Sequence, residues 1–241
     1  MEAPEQRPDA GGRTAVVAGA SGGIGEALAR GFLEAGYAVI GADRAAPAWT
    51  APGFRHVPLD VTDSAATEAF GRSLDRVDVL VNAAGIIRRA EEFDLATFTE
   101  VVDINLGGSM RMAMACRPAL ARSGAGAILN IGSMYSFLGG GHAPAYSASK
   151  GGVVQLTKAL AVAFARDNIR VNALAPGWIE TRLTAPIRAD EKRNRGILDR
   201  TPLGRWGTPA DLIGPALFLA GSASAFVTGV VLPVDGGYLL T

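Results

Sequence analysis

Tyr146-Ser-Ala-Ser-Lys150 puts a phenol and an ammonium four residues apart, on one face wherever the segment is helical. A free tyrosine ionises at about 10, too high to accept a proton readily at neutral pH. A neighbouring ammonium favours the phenolate and draws that value toward working pH. Ser133 supplies a hydroxyl that could hold a substrate oxygen and the charge developing on it. Taken alone, Tyr and Lys at this spacing also describe ordinary helix neighbours. A second motif decides between the two readings.

That motif is Gly19-Ala-Ser-Gly-Gly-Ile-Gly25, which includes Ser21, Gly23 and Ile24. It lies between an apolar β-rich run, Thr14 to Ala18, and a helical stretch, Ile24 to Ala35. Free N–H groups and the helix dipole at such a turn favour a phosphate, and glycines let the backbone come close to it. Glycine turns also join strands to helices for structural reasons alone. Position in the first strand-to-helix turn favours a nucleotide site. Asp43 follows the second strand, roughly twenty residues beyond the loop, where a carboxylate can hold both ribose hydroxyls of NAD. The same charge would repel a 2′-phosphate, so NAD is expected over NADP. Arg44 is the counter-signal, since it could swing onto that phosphate, while Gly22 offers no basic partner inside the loop.

These groups need a scaffold that brings strand ends together. Strand-like runs recur at Tyr37 to Ile40, Val77 to Val81, Ala127 to Ile131 and Ile169 to Leu174. Helical stretches at about Leu95 to Leu120 and Tyr146 to Asp167 separate them. Strands alternating with longer helices argue for βαβ units and a parallel sheet, hence one α/β domain over residues 13–241. Met1 to Gly12 reads as a loose, flexible tail. The 241 residues carry 23 basic and 23 acidic side chains, so no global field points to nucleic acid or an anionic membrane. The charge-free run from Leu212 to Val234 is broken by Pro215, Gly221 and Pro233, which argues against a membrane span. A single cysteine, Cys116, excludes an internal disulfide and suits a reducing, cytoplasmic compartment. No metal site is expected. Thirty-one glycines are an excess whose positions cluster around the motifs above.

The ordered set Gly19 to Gly25, Asp60-Val61, Asn82-Ala-Ala-Gly85, Asn105, Ser133, Tyr146 to Lys150, Pro176-Gly177 and Asp235-Gly-Gly237 resembles the short-chain dehydrogenase/reductase family from about Arg13 to the C-terminus. The resemblance implies a Rossmann-like, doubly wound parallel sheet of about seven strands with helices on both faces, and a homotetramer. It implies Tyr146 as the acid/base, Ser133 as the group that orients the carbinol oxygen, and Lys150 as the residue that tunes Tyr146 and binds the nicotinamide ribose. Asn105 matches the asparagine that holds a water in the relay to Lys150. Asp60 and Val61 match the adenine contacts, Asn82, Ala83, Ala84 and Gly85 the segment beneath the cofactor, and Pro176, Gly177, Ile179 and Thr181 its carboxamide end. Two departures stand out. Ala83 replaces a usual second asparagine, and the Arg44 to Pro58 connection is too short for the usual helix.

Three segments, Asn82 to Arg89, Gly132 to Gly140, and Arg188 to Asn194 followed by Pro202 to Gly207, are similar to the branch of 2-deoxy-D-gluconate 3-dehydrogenases and 2-dehydro-3-deoxy-D-gluconate 5-dehydrogenases. A sugar acid needs a cation for its carboxylate, and guanidinium can bond it through two N–H groups. Arg88, Arg182, Arg188, Lys192 and Arg193 are candidates, with Tyr135 as a further substrate contact. Asp190 and Glu191, interleaved among them, fit solvated charges equally well. The segment 181–201 reads as a long polar lid. The expected substrate is a small hydroxylated molecule, a sugar acid first. A polyol or sugar, a 3-oxoacyl thioester on acyl-carrier protein, and a nucleotide-sensing role without catalysis are the alternatives. The intact Ser133, Tyr146 and Lys150 argue against the last.

Overall fold

The computed structural model describes residues 12–241; all of the expected tail except Gly12 lies outside them. Seven parallel strands form one sheet in the order β3-β2-β1-β4-β5-β6-β7. They are β1 (Thr14–Ala18), β2 (Ala38–Asp43), β3 (Phe54–Pro58), β4 (Val79–Asn82), β5 (Gly126–Ile131), β6 (Ile169–Pro176) and β7 (Val231–Val234). The helices are α1 (Gly23–Glu34), α2 (Ser64–Arg72), α3 (Leu95–Val102), α4 (Gly108–Arg122), α5 (Pro144–Phe164), α6 (Ala185–Arg188), α7 (Glu191–Arg200) and α8 (Ile213–Ala220). This is the expected Rossmann-like, doubly wound α/β fold.

The reason lies in the strand sequences. Every residue of β4 and β5 is buried, as parallel strands covered on both faces require. Alternate side chains of β1 go to opposite faces. Val16 and Ala18 pack with Phe70, Met112, Leu120 and Phe164 on the side of α2, α4 and α5. Ala15 and Val17 pack with Leu28, Phe32, Leu212 and Leu219 on the side of α1 and α8. Burying one such Leu or Phe is worth about 1.5–3 kcal/mol, so both layers hold the sheet edge rigid.

Four elements differ from the sequence expectation. The Leu95 to Leu120 helix is interrupted by a π-helical turn, Asp103–Gly107, with Asn105 at its centre. Strand β3 and helix α2 were not anticipated. β3 is a partly exposed edge strand that mixes Arg55 and His56 with apolar residues, and α2 is short and capped by Asp63, whose carboxylate accepts the Ala66 N–H at 2.9 Å. The 181–201 segment folds into α6 and α7 over a small apolar cluster of Ile187, Ile197 and Trp206. The charged residues around the two isoleucines masked that packing.

No helix turns up between β2 and β3, in line with the short connection. β1 is flanked by β2 and β4, so consecutive crossovers leave it in opposite directions. Such a switch point opens a crevice at the C-terminal strand ends.

Candidate active site

The first wall of the crevice is the glycine loop. Gly19 has φ +84, and a Cβ there would lie 2.5 Å from the Ala84 nitrogen, so glycine lets the loops after β1 and β4 touch. A Cβ on Gly25 would overlap the Gly19 carbonyl oxygen, so only glycine lets α1 start this close to the turn. No side chain caps α1, and its first N–H groups are left for a ligand. Asp43, at the end of β2, accepts the Ser21 N–H through Oδ2 at 3.0 Å, and Ser21 Oγ donates to the Ala45 carbonyl at 2.5 Å. Asp60 accepts the Thr62 N–H and hydroxyl at 2.9 and 2.7 Å. Those bonds hold its carboxyl below the usual range, with Arg44, 3.8 Å away, adding a smaller pull.

Three cavities run on from one another. One of about 240 Å³ is bounded by Gly19, Asp43, Arg44, Asp60, Val61 and 83–85. The next, about 280 Å³, lies between 22–25, Gly85, Tyr146, Lys150, Thr181 and Arg182. The last, about 120 Å³, is lined by Ser133, Tyr135, His142, Tyr146, Arg89 and Trp178, among others. Gly22, Ala83 and Gly85 border the first two, and Ile24, Tyr146 and Thr181 the last two. A dinucleotide fits this groove. Asp43 offers acceptors at one end, the uncapped helix faces the middle, and Lys150 lies toward the other end. The glycine floor leaves room, because a Cβ on Gly85 would point at Asn105 Oδ1 (3.1 Å) and Lys150 Nζ (3.6 Å).

At the far end α5 carries the phenol and the ammonium. Lys150 is 5% exposed, donates from Nζ to the Ile131 carbonyl at 2.7 Å, and stands 5.6 Å from the Tyr146 ring centre. Burial lowers its pKa from 10.5 to about 8. Burial also raises Tyr146 above its ordinary value, and the hydrogen bond from Ser133 draws it back. The lysine expected to activate the tyrosine therefore stands over its ring, and the direct polar contact to the hydroxyl comes from Ser133. Ser133 opens a short turn, its Oγ accepting the Tyr135 N–H at 3.2 Å. Ser136 locks that turn to α5 by receiving the Ser133 N–H at 3.2 Å and donating to the Lys150 carbonyl at 2.7 Å.

The remaining expected residues divide. Asn105 is buried, accepts the Ile86 N–H at 2.8 Å, and donates at 3.0 Å to both the Ile86 carbonyl and Ser149 Oγ. It fastens the loop after β4 to α5. Asn82 turns beneath the crevice and donates to Asn130 Oδ1 at 2.9 Å and to the Ser109 carbonyl at 3.2 Å. Pro176, Gly177, Ile179 and Thr181 all border the last cavity.

Arg88 is not brought there: its exposed guanidinium is held by Glu100 at 3.2 Å. Nor is Arg182, which reaches over the glycine loop to within 3.5 Å of where a Gly22 Cβ would be. Arg188 pairs with Glu180 at 3.0 Å. Lys192 and Arg193 are exposed on α7 and do not line the cavity, although the Arg193 charge is felt by Tyr135 in its wall. The guanidinium that does line the cavity is Arg89, with φ +50 and a 3.1 Å bond to the Leu183 carbonyl. Sequence reasoning did not name Arg89, His142 or the buried Glu92 as site residues; Arg89 closes the Asn82 to Arg89 segment, where Arg88 was the arginine singled out, and the other two sit in no recognisable motif.

The depressed Lys150 pKa has a stability consequence. Between about 8 and 10.5 the unfolded chain holds a proton that the folded chain has released, so the folded state gains as pH rises through that window. Lys150→Met removes this dependence. Its stability advantage or deficit relative to wild type, measured by denaturant unfolding at pH 7, 9 and 10.5, should therefore shift toward wild type by on the order of 3 kcal/mol. A difference independent of pH would contradict the burial account.

A family profile described as Enoyl-(Acyl carrier protein) reductase matches residues 19–239. The chain is 41% identical to 2-dehydro-3-deoxy-D-gluconate 5-dehydrogenase of Escherichia coli (strain K12), over 95% of this chain and 96% of the relative. It is also 41% identical to galactitol 2-dehydrogenase (L-tagatose-forming) of Cereibacter sphaeroides, over 94% and 95%. A gluconate 5-dehydrogenase from Burkholderia cenocepacia J2315, solved in complex with NADP and tartrate, superposes with a TM-score of 0.88 at 36% identity, over 95% of this chain and 96% of that one. Likeness of this extent, on a crevice with Ser133, Tyr146 and Lys150 at its end, has one conclusion: the chain belongs to the short-chain dehydrogenase/reductase family, NAD(P)-dependent oxidoreductases acting on CH–OH groups.

Proposed function

We propose that the protein interconverts a secondary alcohol and a ketone on a sugar acid of the 2-deoxy- or 2-dehydro-3-deoxygluconate class, with NAD as the preferred cofactor. The observation that carries this reading is one cavity lined by Ser133, Tyr146 and Arg89 together. It joins a proton-transfer pair to a guanidinium suited to a carboxylate. The Escherichia coli relative and the tartrate of the Burkholderia structure, both hydroxy-acid chemistry, support it. The galactitol relative favours a neutral polyol as the second reading. A 3-oxoacyl thioester has no comparable support among the curated relatives named above.

The bound nicotinamide cofactor would supply the hydride acceptor or donor. The protein's own work is proton transfer and positioning. Ser133 Oγ holds the carbinol oxygen, and Tyr146 Oη takes its proton as the carbonyl forms, returning it in the reverse direction. The buried Lys150 charge beside the ring favours the phenolate while Nζ stays anchored on Ile131. In the groove, 22–25 would receive the diphosphate and Asp43 the adenosine ribose, with Asp60 and Val61 beside the adenine and Ile179 and Thr181 at the carboxamide end.

NAD preference rests on Asp43, whose carboxylate borders the first cavity. Arg44 nearby and the NADP of the Burkholderia relative weigh toward the phosphorylated cofactor. Arg182 is read as a cation for the diphosphate rather than for the substrate. Segment 181–201 is read as a lid, tied at Leu183 to Arg89. Exposed Met110, Met114, Val162, Phe218 and Phe226 support self-association into a homotetramer, and the buried, unpaired Cys116 fits a cytoplasmic setting.

Initial rates of NAD reduction with 2-dehydro-3-deoxy-D-gluconate, D-gluconate and galactitol test the reading. Acids should be the better substrates, and Tyr146→Phe should cut kcat by about 10²–10⁴-fold while NADH still binds in a fluorescence titration. Wild-type turnover by Tyr146→Phe would end the catalytic assignment. Arg89→Gln should raise KM for the acids about tenfold or more and leave galactitol nearly unchanged, whereas Arg88→Gln should alter neither. Equal effects of Arg89→Gln on acids and polyol would favour the polyol reading.

A further inference from the structure

Glu92 is a carboxylate in an unusual setting. It is 1% exposed, and no cation pairs with it among the described residues. Burying an unpaired charge is costly unless other groups meet it. Two backbone amides do. Oε1 accepts the Arg88 N–H at 2.8 Å and Oε2 accepts the Tyr146 N–H at 2.9 Å.

The second bond is the informative one. Helix α5 begins with Ala143 at its cap position and Pro144 behind it, so it has no side-chain cap of its own. Tyr146 lies in its first turn, where amides lack helical acceptors and the dipole favours a negative charge. Glu92, brought from 54 residues away, occupies that position. The first bond acts on the substrate side. Arg88 is followed by Arg89, whose backbone takes φ +50 and whose side chain lines the cavity.

We infer that Glu92 is a positioning residue for Tyr146, a clamp that holds the first turn of the catalytic helix and the Arg88-Arg89 loop in one register. The inference rests on the assignment of Tyr146 as the acid/base. It carries an electrostatic consequence as well. Among the groups around the Tyr146 hydroxyl, Ser133 favours its ionised form, whereas Glu92 and Tyr135 oppose it. Lys150 faces the ring from its own helix. Arg89 and His142 line the same cavity from the loops before and after. Removing the Glu92 charge therefore lowers the pH at which Tyr146 ionises. A residue that only stabilised the fold would not move that midpoint.

The test uses the full-length protein and two variants. Glu92→Gln keeps the shape but removes the charge, and one of its amides then meets an N–H instead of an acceptor. Glu92→Asp keeps the charge but is too short to reach both amides. Tyrosinate absorbance at 295 nm is followed against pH, with the matching Tyr146→Phe protein subtracted to isolate Tyr146. Kinetics use 2-dehydro-3-deoxy-D-gluconate as the probe, and thermal melting checks folding.

Glu92→Gln should move the Tyr146 midpoint to lower pH and cut kcat by about ten- to a hundredfold, with KM for NAD within twofold of wild type. Glu92→Asp should lose kcat similarly while its midpoint stays at the wild-type pH. If Glu92→Gln does not fold, Glu92→Asp decides alone, and wild-type kcat in that variant overturns the inference. Wild-type kcat and midpoint in a folded Glu92→Gln also overturn it. A Tyr146→Phe protein with full turnover would instead sink the underlying assignment, so the two failures are distinguishable.

Discussion

A buried ammonium is the constraint around which the crevice is built. Lys150 is nearly fully withdrawn from water and has the Ile131 carbonyl as its hydrogen-bond acceptor, at the last residue of β5. Such a charge is tolerated only where it is met by dipoles and kept from shifting. Helix α5 must therefore lie across the C-terminal edge of the sheet at one height. That height puts Tyr146, one turn earlier, over Ser133, which follows the same strand. Any slide of α5 would break the Lys150 bond and separate the phenol from the serine.

Several polar contacts prevent that slide, two joining α5 to loops and one joining it to the sheet. Ser136 ties the Ser133 turn to the Lys150 carbonyl, and Asn105 ties the loop after β4 to Ser149. Deeper down, Asn82, Asn130 and Thr157 form a buried chain from β4 through β5 into α5, at 2.9 Å for each bond. Sliding α5 would leave Asn130 Nδ2 and Thr157 Oγ1 buried without each other, which favours the one arrangement, even though Asn82 Oδ1 is left without a hydrogen-bond partner among the described residues. The π-helical turn at Asp103–Gly107 belongs to the same design. It presents Asn105 to Ile86 on one side and to α5 on the other, which a regular helical path through α3 and α4 need not do.

What could be read from the sequence was whatever is local. The glycine loop, Asp43 after the second strand, and Tyr146 with Lys150 one helical turn apart are spacings within single βα units, and the sheet's alternation follows from buried strands. What could not be read arrives by distant contact or by a backbone twist. Glu92 looks like surface charge in Arg-Arg-Ala-Glu-Glu-Phe, yet the fold buries it under Tyr146. Arg88 and Arg89 are chemically alike. The positive φ at Arg89 sends one to Glu100 and the other to the cavity and to Leu183, 94 residues on. Arg182, expected at the substrate, lies over the glycine loop instead, carried on the turn in which the Thr184 N–H donates to the Thr181 carbonyl at 3.2 Å. The polar look of 181–201 concealed Ile187 and Ile197, two residues whose packing gives the segment its own small core.

The central claim is that the buried Lys150 charge makes Tyr146 a usable base. The most direct measurement is the single-turnover rate of cofactor reduction at 340 nm as a function of pH, for wild type and Lys150→Met saturated with NAD. The rate of the variant should be lower at neutral pH and its rise should begin at higher pH, since the phenolate has lost its cation. A variant with the wild-type pH profile, whatever its overall rate, would contradict it.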